Sequence, residues 1–392
     1  MSVTSVTITC PAGQITGEPH YFRSIPYASA QPFADAQKLP PRDIDARGTV
    51  QGLQLSVATP EARFGADLPV IFYIHGGGYD SGSRFEPRTA PEFMVSQGFV
   101  VVAVDYRLSL EGFVRFHDDE PHRYRGIDDC VLALEWVQKN IEFFGGDPTN
   151  VTLIGQSAGA GIALWLTRLD HYKGAFRRVV ALSPSFPRQP FQARKGALRR
   201  SLGKPVTRKA LAALDPAKLA KSYGRFKRRF FNDLPLGPFP YDPNELADID
   251  LIISSTRDEM YHHELGQKLD QRGVGTKLIA RLLGIKNVND YLKAARTIDS
   301  RVVGRTIGDA MIRKYVAQTE KGWWIEFPGR HCEDLTLIFQ QDSQAHHIIA
   351  DFARAKKPTW PLYEPTKRQA LSLVDGHAKV VSDPLKMVRL AF

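Results

Sequence analysis

The sequence predicts an α/β architecture, with one mostly parallel central sheet flanked by helices. Two observations carry that expectation. Short apolar, β-branched runs recur along the 392 residues, among them Pro69–Ile74, Asn150–Ile154, the run from Leu251, and Gly322–Phe327. Each is of strand length and stops at glycine-rich or charged residues. Stretches of helical length lie between them, so strands and helices alternate as this class requires. The length suits one large domain with a substantial core.

Taken in chain order, Met1–Cys10 reads as a strand and lacks the basic start and sustained apolar run of a secretory leader. Pro69–Ile74 reads as a buried strand followed directly by His75-Gly-Gly-Gly-Tyr79. Side chains at Gly77 and Gly78 would obstruct an approach to the backbone. A glycine run here therefore suits N–H groups that must meet negative charge developing on a carbonyl oxygen. No Lys-Ser/Thr follows, as a phosphate-cradling loop would require. Asn150–Ile154 is the next buried strand, and Ala158–Leu169 is small and apolar enough to start a helix against it. Between them lies Gly155-Gln156-Ser157-Ala158-Gly159, a G-x-S-x-G turn. Gly155 and Gly159 lack the Cβ atoms that would clash in so sharp a turn, so Ser157 stands exposed on a strained backbone as a nucleophile. The N–H of Ala158, just after it, is the expected third oxyanion donor beside those of Gly77 and Gly78.

A nucleophilic serine needs a base, and the base needs an orienting acid. Where this elbow occurs the chain order is serine, acid, histidine. Leu251-Ile-Ile-Ser-Ser-Thr-Arg-Asp-Glu259 is an apolar strand ending in two carboxylates, and the residues alone do not separate Asp258 from Glu259. Gly322–Phe327 is a strand followed by Pro328-Gly-Arg-His331, which offers the base. His262, His263, His346 and His347 compete, but none follows a strand in the required position. Neither histidine pair has supporting cysteine or carboxylate spacing, so no metal is expected.

Together these segments resemble the type-B carboxylesterase and cholinesterase family of α/β-hydrolases. The similarity is densest from Leu134-Glu-Trp-Val-Gln-Lys-Asn-Ile141 through Phe144-Gly-Gly-Asp-Pro148 and Asn150-Val-Thr152 to the elbow. Ser24-Ile-Pro-Tyr-Ala28, Val104-Asp-Tyr-Arg-Leu108, Asp351-Phe-Ala-Arg354, Trp360-Pro-Leu-Tyr363 and Val381-Ser-Asp-Pro384 extend it over nearly the whole chain. The resemblance implies an α/β-hydrolase fold with a reduced helical cap. It also implies a serine carboxylic-ester hydrolase that forms an acyl-enzyme and needs no cofactor. The acid it assigns is Glu259, with Ser255 and Met260 in place of family glycines. The base is His331, with Cys332 in place of the usual glycine. Gln156 stands where cholinesterases carry a glutamate that helps meet a cationic substrate, so choline esters are poor candidates. Tyr79, Gln156 and Phe186 are the expected pocket walls. Amidase, lactonase or carbamate hydrolase activity on the same triad stays open. A non-catalytic adhesion protein is disfavoured because such relatives typically lack a triad member.

The chain is shorter than most family members where they build lid and gorge walls, so a broader, shallower cleft is expected. One domain over 1–392 is expected, with a basic cap-like insertion at about 186–240 and a helical segment at about 262–320. No apolar segment is long enough to span a bilayer. Cys10, Cys130 and Cys332 have no framework spacing, and the segment that carries a disulfide cysteine in secreted relatives reads here Gly48-Thr-Val-Gln-Gly-Leu-Gln-Leu-Ser-Val57. That departure implies a reducing, cytoplasmic setting.

Charge is unevenly placed. From Arg188 to Asn232 there are fourteen Lys or Arg and one acid, Asp215, a balance of +13; with +10 for the whole chain, everything else sums to −3. Ala193, Ala197, Leu198 and Leu202 fall on one helical face, with Arg194, Lys195, Arg199 and Arg200 around it. Thr207 is placed to cap a second helix. Such a stretch suits a solvated face, attraction of an anionic ester, or adhesion to anionic lipid or nucleic acid. No aromatic interleaving or binding motif supports nucleic acid. The expected partner is a small-molecule ester.

Overall fold

The computed structural model of the chain describes residues 5–230, 233–259, 277–278, 281, 287–290 and 322–386. Ten strands form the main sheet: β1 (Tyr21–Pro26), β2 (Gln54–Ala58), β3 (Leu68–Ile74), β4 (Val100–Val104), β5 (Gly146–Gln156), β6 (Arg178–Leu182), β7 (Asp250–Thr256), β8 (Trp323–Phe327), β9 (Gln369–Ser372) and β10 (Lys379–Ser382). Their order across the sheet is β10-β9-β8-β7-β6-β5-β3-β4-β2-β1. Strands β3 to β9 all run parallel, while β10 at one edge and β2 beside β4 are antiparallel to their neighbours. A smaller sheet pairs Val6–Cys10, within the strand expected over the first ten residues, with Gly13–Gly17.

The parallel strands are continuous apolar runs because both of their faces are covered. All five residues of β4 are buried. Alternate residues of β3 go to opposite sides: Val70, Phe72 and Ile74 join one core, Ile71 and Tyr73 the other. The first core is closed by α1 (Arg125–Asn140) and α2 (Ala158–Leu166). Residues of α6 (Glu333–Phe339) and α7 (Gln344–Ala353) close the second. This arrangement sends the loops after β3, β5, β6, β7 and β8 to one end of the sheet, where open α/β sheets bind ligands.

Three helices follow β6 in the basic stretch: α3 (Phe191–Leu202), α4 (Arg208–Ala212) and α5 (Pro216–Lys227). Thr207 caps α4 as expected, its hydroxyl accepting the Ala210 N–H at 3.2 Å. The buried face of α3 differs from the one expected. It is formed by Phe191, Arg194, Ala197, Leu198 and Leu202, while Ala193 is exposed. Arg194 is 1% exposed and lies 4.7 Å over the Phe230 ring, its guanidinium bonded to the Asp233 carboxylate and the Leu234 carbonyl. Asp233 lies one residue past the stretch whose charges were counted, and it supplies the counter-charge that lets an arginine replace an alanine inside. The helical segment expected at about 262–320 falls almost wholly outside the described residues. Among the described residues no helix is long and apolar enough to cross a membrane.

Candidate active site

Strand β5 ends at Gln156 and α2 begins at Ala158, leaving Ser157 between them at φ 56°, ψ −115°. That strained conformation is enforced by contact with β3. A Cβ on Gly159 would lie 2.1 Å from the Ile74 carbonyl oxygen, and one on Gly155 would lie 2.3 Å from that of Gly159. The Ser157 N–H donates to the Leu182 carbonyl at 2.8 Å, and its own carbonyl accepts from Gly161 and Ser185. The turn is therefore fixed by β3, β6 and α2 together, which is how a backbone at positive φ persists.

In the loop after β3, Gly77 has φ +112°, and a Cβ there would come within 2.1 Å of the Ser81 carbonyl oxygen. Gly78 also has positive φ, but its nearest obstacle is a Leu234 methyl at 3.5 Å. His75 is buried and stacks on Tyr106 with ring centroids 4.5 Å apart. Burial lowers its pKa, so the ring is neutral, and Nδ1–H donates to the Gly76 carbonyl at 2.8 Å. Among the described residues, no acceptor takes a hydrogen bond from the N–H groups of Gly77, Gly78 or Ala158. The last of these opens a helix, whose N-terminal dipole favours negative charge.

Glu259 and His331 come from the loops after β7 and β8. The His331 Nδ1 lies 2.6 Å from Glu259 Oε2, and the His331 N–H donates to the Glu259 carbonyl at 2.8 Å. Glu259 is 1% exposed, and its other oxygen accepts from Ser183 Oγ at 2.5 Å and the Thr256 N–H at 2.7 Å. Burial alone would lower the His331 pKa. The adjoining Cys332 side chain and the hydrogen-bonded, charged Glu259 outweigh it and hold the imidazole well above its ordinary value. Cys332 itself takes φ 71°, a left-handed position where the resemblance led one to expect glycine.

Ser157, His331, Gln156, Gly77, Gly78 and Phe186 all line one cavity of about 400 Å³. Within it, His331 Nε2 faces Gln156 Nε2 at 3.2 Å, and Ser157 Oγ faces Ser185 Oγ at 3.4 Å. No hydrogen bond joins Ser157 to His331 among the described residues. Tyr79 departs from expectation: it is fully buried behind the loop and does not line the cavity. Its backbone sits at φ 64°, turning the side chain inward to pack on Phe113 at 4.8 Å, and its hydroxyl donates to the Ser185 carbonyl at 2.6 Å. Phe186 faces the cavity and stacks on Tyr241 at 4.6 Å.

Several residues of the site carry no signal read from the sequence. Ser183 and Ser185 lie just past the end of β6; the Ser-Pro-Ser turn at the carboxyl end of a parallel strand was the available clue. Asp334, in the first turn of α6, is fully buried, and among the described residues neither carboxylate oxygen has a side-chain hydrogen-bond partner. Among the described residues no cluster of three or more His, Cys, Asp or Glu could hold a metal.

Residues 27–201, which include the glycine loop and the elbow, match the carboxylesterase family. A juvenile hormone esterase of Heliothis virescens is 39% identical over 115 residues, which is 29% of this chain and 20% of that protein. A probable N-octanoylanthranilate hydrolase of Rhodococcus erythropolis is 29% identical over 305 residues, 65% of this chain and 67% of that one. The phenmedipham hydrolase of Pseudarthrobacter oxydans is 32% identical over 225 residues, 53% of this chain and 45% of that one. The chain thus spans a fifth of the length of the Heliothis protein and less than half of the Pseudarthrobacter one. In structure, the Geobacillus stearothermophilus carboxylesterase superposes with a TM-score of 0.77 at 21% identity, covering 98% of this chain and 99% of that one. The Manduca sexta juvenile hormone esterase gives 0.76 at 21% identity, covering 99% of each. The sheet order, the elbow against β3 and these matches lead to one assignment: the chain has the α/β-hydrolase fold, and its residues 27–201 match the carboxylesterase family.

Proposed function

We propose that the protein is a serine hydrolase of carboxylic esters that works through an acyl-enzyme. Ser157 Oγ attacks the carbonyl carbon and its proton passes to His331 Nε2. Glu259 holds the Nδ1–H tautomer and stabilises the imidazolium. The N–H groups of Gly77, Gly78 and Ala158 receive the oxyanion; loss of one such donor costs about 3 kcal/mol in comparable sites. His331 then protonates the leaving alcohol, activates water, and the acyl-enzyme is hydrolysed. The observation that carries this reading is the 2.6 Å pair of His331 with a buried carboxylate, sharing a cavity with a serine at positive φ. Strain, tautomer control and unengaged N–H donors are three separate requirements of acyl transfer, and one cavity supplies all three.

The neutral amide of Gln156 gives a cationic alcohol group no counter-charge, which supports small to medium neutral or anionic esters over choline esters. Amide or carbamate cleavage on the same residues is the second reading. It is favoured by two relatives whose names specify an N-acyl anthranilate and phenmedipham as substrates. Hydrolysis of a short p-nitrophenyl ester, abolished by Ser157→Ala, tests the proposal; turnover that survives the substitution overturns it. Glu259→Gln set against Asp258→Asn tests the acid, and a loss confined to Asp258→Asn would move the role to that residue.

A further inference from the structure

The proposed base does not rest on the proposed nucleophile. Its Nε2 is engaged by Gln156 Nε2 at 3.2 Å, while Ser157 Oγ lies 3.4 Å from Ser185 Oγ. Glu259 holds the proton of His331 on Nδ1, so in the neutral ring Nε2 carries a lone pair. The Gln156 amide N–H is the donor that lone pair accepts. Packing fixes Gln156 in this position. It ends β5, is 3% exposed, and its Oε1 occupies space that a Cβ on Gly76 would invade at 2.3 Å.

We infer that Gln156 is a positioning residue: its amide caps Nε2 of the free-base form of His331 and so favours the neutral imidazole against the pull of Glu259. This deepens the esterase reading and rests on His331 being the base. When Nε2 takes the serine proton it becomes a donor, and the N–H of Gln156 then faces another N–H. The amide thus stabilises the form that can accept a proton and gives nothing to the imidazolium. It counters Glu259, which favours the charged ring. For turnover the Ser157 hydroxyl replaces the amide at Nε2, leaving Ser185.

The other groups around the ring are Glu259 and Cys332 beside it and Asp334 of α6. Tyr73, His75, Glu86, Arg88 and Asp233 share the cavity. A substitution at Gln156 leaves all of these in place, so a comparison between variants isolates the amide. Gln156→Glu replaces a donor to the free base with a carboxylate that accepts from the imidazolium. An added negative charge at this range moves a titration by about one to three pH units. The acid limb of kcat/KM for a p-nitrophenyl ester should therefore rise by at least about one pH unit. The His331 ring-proton titration followed by NMR should rise with it. Gln156→Met, which removes the donor without adding charge, should shift both in the same direction by less. Limbs and NMR midpoints that coincide for wild type, Gln156→Glu and Gln156→Met overturn the inference. His331→Ala separates this from failure of the parent reading: if it is inactive and the midpoints coincide, only the role of Gln156 falls. If His331→Ala still turns over, the base assignment falls and takes the inference with it.

Discussion

Asp334 should make the protein less stable as pH rises toward neutrality, and Asp334→Asn should remove that loss. The carboxyl is 0% exposed and, among the described residues, neither oxygen has a side-chain hydrogen-bond partner. Its pKa is pushed from 3.8 to about 7, first by burial and then by the nearby charge of Glu259, with His331 and the backbone N–H groups of Asp334 and Leu335 opposing. In the folded chain the group holds its proton through the range where the unfolded chain has released it. Stability therefore falls with pH by up to about 1.4 kcal/mol per unit across that window. The group's contribution is fully present below its unfolded value, is lost as pH rises toward about 7, and is constant above. Roughly three pH units of separation give about 4 kcal/mol. Asparagine has nearly the same shape and no charge to bury. The variant should thus match wild type near pH 4 and exceed it by about 4 kcal/mol at and above pH 7. Urea unfolding followed by tryptophan fluorescence at several pH values measures the difference directly. A difference that is flat across this range, or that shrinks as pH rises, would refute the buried carboxyl as its source.

Three further outcomes follow from the packing around the site. Ser183→Ala removes one donor to Glu259, and a hydrogen bond to a charged group is worth about 1.5–3 kcal/mol, so kcat/KM should drop about tenfold or more; unchanged steady-state kinetics would show that Ser183 does not support the acid. Gly77→Ala drives a Cβ into the Ser81 carbonyl, whereas Gly78→Ala meets only a methyl at contact distance. Gly78→Ala should cost about 1–2 kcal/mol for its left-handed backbone, and Gly77→Ala should cost clearly more; equal melting temperatures would contradict the loop geometry. Arg194→Leu strands the Asp233 carboxylate and should destabilise by about 3–5 kcal/mol. Arg200→Ala on the exposed side should stay within about 0.5 kcal/mol. Matching unfolding curves for these two would refute the buried ion pair.

What the sequence makes legible here is set by the range over which each constraint acts. The elbow and the glycine loop are stereochemical: Gly155 and Gly77 are required by backbone contacts inside their own turns and Gly159 by the backbone of β3 beside it, so short runs of residues carry the signal. Partners that meet across the fold leave no such trace. Ser183 reaches Glu259 across 76 residues, and Gln156 reaches His331 across 175. Without the family resemblance Asp258 and Glu259 were equivalent, because what distinguishes Glu259 is the tertiary contact with His331. Helical periodicity put Arg194 among the solvated cations because charge alone is a sound guide until a counter-charge is buried with it. Tyr79 followed the loop in sequence but not in space, since its positive φ turns the chain. The same division bears on which bond is cut. Ser157, Glu259 and His331, the proposed reacting groups, hang from short turns at the ends of β5, β7 and β8, whereas Phe186, Asp233 and Leu234, which wall the cavity, belong to the chain leading into and out of the basic helices. Asp233 is held by Arg194 and by the Arg188 N–H, so this ion pair fixes one wall of the cavity. Under the proposed function, differences in substrate preference should therefore track the packing of the basic helices rather than their surface charge.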